Sequence, residues 1–103
     1  MLFILLASLT DDGLQQCAEN PDAFADACNS VDVPGAQLLA RYATLGQYDF
    51  VVLVEADDAQ RAARLSVVLG AEAGVHIESM QATTAHLMAE RPEGLVRTEA
   101  SEI

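Results

Sequence analysis

Apolar positions dominate the start of the chain and then settle into two distinct periods. Met1-Leu2-Phe3-Ile4-Leu5-Leu6-Ala7 is apolar without interruption, the pattern of a strand buried on both faces. Thr10 follows as an N-cap, with Asp11 and Asp12 where a helix dipole favours negative charge. Leu14, Cys17, Phe24, Cys28 and Val31 then recur at helical spacing, predicting one apolar stripe on a helix that kinks or restarts at Asn20-Pro21. Val33-Pro34-Gly35 ends it.

Strand periodicity returns from Ala36 to Thr44 and from Tyr48 to Glu55, with Leu45-Gly46-Gln47 as a tight turn between them. This predicts an antiparallel hairpin. Asp57 with Gln60 resembles a capping box opening a second helix, on which Ala62, Leu65 and Leu69 share a face, Arg61 and Arg64 point outward, and Gly70 supplies the stop. Gly74 to Ala82 reads as a fourth strand. Thr83 or Thr84 would cap a short helix through Ala85-His86-Leu87-Met88, and His86 has only a surface role there.

The order strand-helix-strand-strand-helix-strand is the ferredoxin-like βαββαβ arrangement of the α+β class, a four-stranded antiparallel sheet with its helices on one face. The first and third strands are apolar at both parities. The uncovered face would therefore expose more contiguous apolar surface than a monomer usually carries, which predicts a homodimer, or an assembly of dimers, packed sheet to sheet.

Charge narrows the partners. Against 16 Asp plus Glu stand 5 basic residues, all arginine, for a net charge of −11 over 103 residues. Such a chain repels phosphate backbones and anionic headgroups, so neither nucleic acid nor a membrane surface is an expected partner. An acidic, lysine-free surface suits a high-salt cytoplasm, where salt screens the self-repulsion, as well as it fits compositional bias. Cys17 and Cys28 would lie ~16 Å apart on one straight helix, beyond the ~7 Å reach of a disulfide. They read as reduced, buried apolar residues, consistent with a cytoplasmic location. The apolar start lacks a preceding basic residue and is too short to span a bilayer. Residues 91–103 mix charge with Pro and Gly and read as a polar, flexible tail beyond a domain over residues 1–90.

The turn Gly46-Gln47-Tyr48-Asp49, with Leu9-Thr10 and Gly13 before it and Val51, Val54-Glu55 and Asp57 after it, resembles the GYD domain family. The resemblance covers roughly residues 1 to 90 and implies the dimeric α/β barrel, in which two ferredoxin-like protomers pack sheet on sheet. It brings no catalytic residues with it. Relatives by architecture include cofactor-free monooxygenases, haem-degrading and haem-dependent enzymes, and effector-binding modules of amino-acid-responsive regulators, and fold alone does not choose among them.

Strand alternation places Asp49 and Glu55 of the third strand, with His76 and Glu78 of the fourth, toward the barrel side, with Arg41 joining from the second strand. Tyr48 belongs on the helix-covered side, packed under a helix, while Asp49 accepts backbone bonds at the hairpin start. Arg41, Tyr48, Asp49, Glu55, His76 and Glu78 are the ligand-binding candidates. His76 is the candidate catalytic base, steadied by Glu55 or Asp49. His76 and Glu78 are spaced to share a divalent metal, although a lone pair lacks the ligand count of a metal motif. Arg41 could also form a cross-strand ion pair with Asp49 or Glu55. No phosphate-cradling glycine loop or nucleophile motif occurs, and no cofactor is expected. Small-molecule binding between the sheets leads these readings. The alternatives are cofactor-independent oxidation or isomerisation, with His76 as base and Tyr48 or Arg41 at an oxyanion, and a structural module whose oligomer is its function.

Overall fold

A computed structural model describes residues 1–85 of the chain. Its elements run β1 (Leu2–Leu9), α1 (Asp11–Glu19), α2 (Ala23–Ser30), β2 (Ala36–Ala43), β3 (Phe50–Ala56), α3 (Ala59–Ala73) and β4 (Val75–Ala82). The strands form one sheet in the order β2-β3-β1-β4, with every pairing antiparallel. This is the ferredoxin-like α+β fold expected from the strand and helix order. The proposed last helix and the tail lie outside the described residues. Among the described residues no helix is long and apolar enough to cross a membrane.

The first helical segment restarts rather than kinks. Pro21 lacks an amide hydrogen to continue α1, Asn20 closes it through its amide to the Gln16 carbonyl, and α2 begins at Ala23. The restart shifts the helical phase. Phe24 and Cys28 enter the core whereas Leu14 is 54% exposed, so the expected stripe holds for α2 and fails for α1. Cys17 is half-buried and both cysteines are free.

All three helices lie against one face of the sheet. Phe3, Leu5 and Ala7 of β1, Val52, Val54 and Ala56 of β3, and Val75 of β4 are buried there, against Ala62, Leu65, Leu69 and Ala73 of α3 and Phe24, Ala27 and Cys28 of α2. Phe24 stacks on Phe50 with centroids 3.8 Å apart. Burying side chains of this size contributes roughly 1.5–3 kcal/mol each before chain entropy is counted.

Two helix boundaries differ from expectation. Asp58, not Asp57, caps α3, accepting at Oδ1 from the Arg61 amide at 2.9 Å, while the Asp57 amide donates to the Gly35 carbonyl. The helix passes Gly70 and stops at Gly74, whose φ of 68° supplies the left-handed cap. Gly70 serves contact instead, since a Cβ there would stand 3.1 Å from the Val75 carbonyl. Gly13 is held tighter still. A Cβ on it would fall 2.1 Å from the Gly74 carbonyl oxygen, which already accepts from the Thr10 amide at 3.0 Å and from Thr10 Oγ1 at 2.8 Å. Thr10 also caps α1, accepting from the Gly13 amide. Thr10, Gly13 and Gly74 thus lock the end of β1 to the start of β4.

Candidate functional site

Among the described residues, no helix lies on the opposite face of the sheet. Alternation from the buried Phe3, Leu5 and Ala7 leaves Leu2, Ile4, Leu6 and Ser8 of β1 on that face. Their cross-strand partners are Val51, Leu53 and Glu55 of β3 and His76, Glu78, Met80 and Ala82 of β4. The middle of this open face is apolar. Glu55 lies at one end, and Ser8, His76 and Glu78 gather at the other, where β1 ends and β4 begins.

At that end His76 stands opposite Ser8 and Glu78 opposite Leu6. Tyr48 joins them from the loop before β3. The turn is longer than expected: β2 stops at Ala43 and β3 starts at Phe50, and the connection closes through the Thr44 amide on the Asp49 carbonyl at 2.9 Å and Thr44 Oγ1 on the Tyr48 carbonyl at 2.7 Å. Tyr48 is consequently outside the strand and free of its alternation. It does not pack under a helix. Its Oη crosses β1 on the open face and donates to Glu78 Oε1 at 2.5 Å, and this hydrogen bond to a carboxylate raises the phenol pKa above its ordinary value.

The other candidates do not converge on this cluster. Asp49 Oδ2 accepts from the Leu9 amide at 2.8 Å, the backbone-holding role expected at the hairpin start. Asp49 and His76 flank β1 on opposite sides, roughly 10 Å apart across two strand spacings. Glu55 lies opposite Leu2, about 20 Å along the sheet from His76, and binds the Met1 ammonium at 2.5 Å. Neither carboxylate orients His76 within the chain.

Arg41 lies on the wrong side of the sheet for the expected site. A bulge between Leu38 and Ala40 shifts the register, so Arg41 pairs with Val52 and Tyr42 with Val51. One extra residue reverses the parity of all that follows. Arg41 therefore faces α2, donating through Nη1 to Asn29 Oδ1 at 3.2 Å and lining a groove of ≈ 320 Å³ with Cys28 and Leu65. It makes no ion pair with Asp49 or Glu55. Burial raises the Cys28 thiol pKa there, with Arg41 opposing the shift.

His76 and Glu78 gain no third His, Cys, Asp or Glu ligand among the described residues, and one Glu78 oxygen is engaged by Tyr48. Sequence reasoning missed the Tyr48–Glu78 bond and the presence of Ser8. The signal for the bulge was Leu38-Leu39-Ala40, an apolar run that breaks the alternation begun by Ala36-Gln37-Leu38.

The chain is 37% identical over 81 residues to the glutamine synthetase and cystathionine beta-lyase binding protein of Thermus thermophilus, covering 78% of this chain and 85% of that one. Among solved structures it is similar to the feast or famine regulatory protein of M. tuberculosis complexed with L-methionine, at a TM-score of 0.62 and 16% identity over 82% of this chain and 51% of that one. It is also similar to a transcriptional regulator from Neisseria meningitidis in complex with L-methionine, at a TM-score of 0.59 and 16% identity over 82% of this chain and 50% of that one. The chain thus spans about half the length of these regulators, and the likeness establishes the ferredoxin-like fold. With residues 3–91 matched by its profile, the chain belongs to the GYD domain family.

Proposed function

We propose that the protein is a homodimeric binding protein, in which two copies pack open face to open face and the Ser8–Tyr48–His76–Glu78 end holds a small molecule. The observation that carries this reading is the distribution of charge over the sheet. The open face bears Leu2, Ile4, Leu6, Val51, Leu53 and Met80 with no covering helix among the described residues, and of the described acidic residues only Glu55 and Glu78 lie on it. Both are engaged, by the Met1 ammonium and by Tyr48. The remaining described carboxylates belong to the helices, their caps and the loops, so a strongly acidic chain can self-associate here without bringing them together. Four strands of about eight residues give a footprint of roughly 500 Å² per copy. Side-chain relief brings two copies within reach of the ~1,200 Å² expected of a specific interface.

Ile4→Asp tests the dimer, because it places a carboxylate in the centre of the open face and leaves the helix-side core intact. Burying an uncompensated charge costs at least ~3 kcal/mol, about a hundredfold in dissociation constant. Native mass spectrometry should show the wild type as a dimer and Ile4→Asp as a folded monomer. A monomeric wild type at micromolar concentration would defeat the reading. The same experiment on protein purified from its own host, followed by denaturing release, identifies any retained small molecule; a void-free dimer that retains nothing would favour a purely structural module.

A second reading, favoured by the Thermus relative, is that the dimer docks on an enzyme of amino-acid metabolism. Surface plasmon resonance with purified glutamine synthetase from the same host tests it. The enzyme alternative with Arg41 or Tyr48 at an oxyanion finds less support: Arg41 faces α2 and the Tyr48 proton is committed to Glu78.

A further inference from the structure

We propose that the Ser8–Tyr48–His76–Glu78 end of the open face selects a small organic cation, an ammonium group carrying an apolar chain, over a zwitterionic or anionic ligand. This rests on the reading of that end as the ligand site and adds the chemical class.

The argument is an inventory of donors and acceptors. Ionised Glu78 can only accept, and its Oε1 takes the Tyr48 proton. Among the described residues its Oε2 receives no hydrogen bond. Tyr48 Oη, its proton so committed, offers the site lone pairs alone. Ser8 and His76, opposite each other in the β1–β4 register, carry a hydroxyl and an imidazole that can each accept as well as donate. Ser8 and His76 can serve a donor or an acceptor, whereas the free oxygen of Glu78 and the lone pairs of Tyr48 can serve a donor alone, so the balance of the cluster favours an ammonium group with three donors. The surrounding field acts in the same direction, since a chain of net charge −11 attracts cations and repels carboxylates.

The rest of the ligand is specified by what adjoins the cluster. Leu6 and Val51 adjoin the cluster at the edge of the region where the two open faces meet, apolar surface suited to a short hydrocarbon chain. Among the described residues a ligand carboxylate finds no counter-charge here. Of the described arginines, Arg41 faces α2, while Arg61 and Arg64 lie on α3, which covers the other side of the sheet. The site thus differs in charge logic from one that holds a free amino acid by both of its charged groups.

Three probes sharing one carbon chain separate the possibilities: n-pentylammonium, norleucine, which adds a carboxylate, and hexanoate, which lacks the ammonium. Each is titrated at pH 7 and fixed ionic strength into wild type, Glu78→Gln and Glu72→Gln, the last an exposed α3 control for nonspecific attraction to an acidic surface. Amide chemical-shift changes locate binding and supply the dissociation constant. Pentylammonium should shift Ser8, His76 and Glu78, bind at least about tenfold more tightly than norleucine, and weaken about tenfold or more in Glu78→Gln, the worth of one charge-assisted hydrogen bond. Glu72→Gln should leave it unchanged. Hexanoate or norleucine binding as tightly, equal loss in both variants, or no localised binding by pentylammonium would overturn the proposal. Native mass spectra of the same samples distinguish the failures: a monomer removes the underlying dimer reading, whereas a dimer without cation preference removes this inference alone.

Discussion

Replacing Gly13 by alanine sets two physical effects of opposite sign against each other. In an exposed helix interior the change would stabilise by up to ~1 kcal/mol, because alanine loses less backbone entropy. Here the new Cβ would stand 2.1 Å from the Gly74 carbonyl oxygen, where an ordinary contact starts near 3.4 Å. The atom it meets is backbone, so α1 would have to back away by roughly 1 Å. That movement strains the packing by ~1–3 kcal/mol. It also loosens the bonds from the Thr10 amide and Oγ1 to the same carbonyl, at 3.0 and 2.8 Å, each worth about 1 kcal/mol. The net expectation is a loss of about 2 kcal/mol, or roughly 10 °C in melting temperature for a domain of this size. Urea denaturation followed by far-ultraviolet circular dichroism, at one protein concentration for both chains, measures it. Gly70→Ala is the comparison, with a 3.1 Å approach to the Val75 carbonyl and an expected effect near zero. A Gly13→Ala protein as stable as wild type would refute the claim that this glycine exists for close approach.

Three other outcomes follow from the structure. In native protein Cys17 should react with iodoacetamide well before Cys28, a residue only 5% exposed whose thiol is raised in pKa by burial; equal rates by peptide mass mapping would contradict the placement of α2. The Tyr48 phenol should titrate above the usual ~10, read by ultraviolet absorbance, and return toward it in Glu78→Gln. Because the folded pKa is raised, the bond's contribution to stability is fully present below about pH 10 and lost as pH rises through the folded value. With a net charge of −11, the melting temperature should rise between low and molar KCl as self-repulsion is screened; a flat response would remove the high-salt reading.

Element order was legible because local pattern reports which residues meet the core: the apolar runs of β1 and β3, the three- and four-residue spacing of Ala62, Leu65 and Leu69, and the Thr10 cap are properties of short stretches. The candidate site was legible only where parity stayed unbroken. His76 and Glu78 share the open face as alternation requires, whereas the bulge at Leu38/Ala40 carried Arg41 to the other side. The long 44–49 connection released Tyr48 from strand geometry altogether. By itself the sequence determined the α+β order, the two-faced apolar strands and the acidic, lysine-free surface, since each depends on residue type and neighbours along the chain. Tertiary structure alone decided that Tyr48 meets Glu78 thirty residues away, that Gly13 rests on Gly74, and that Glu55 and His76 stand at opposite ends of one face. Register and close approach belong to pairs of segments brought together by folding, and no single segment encodes them.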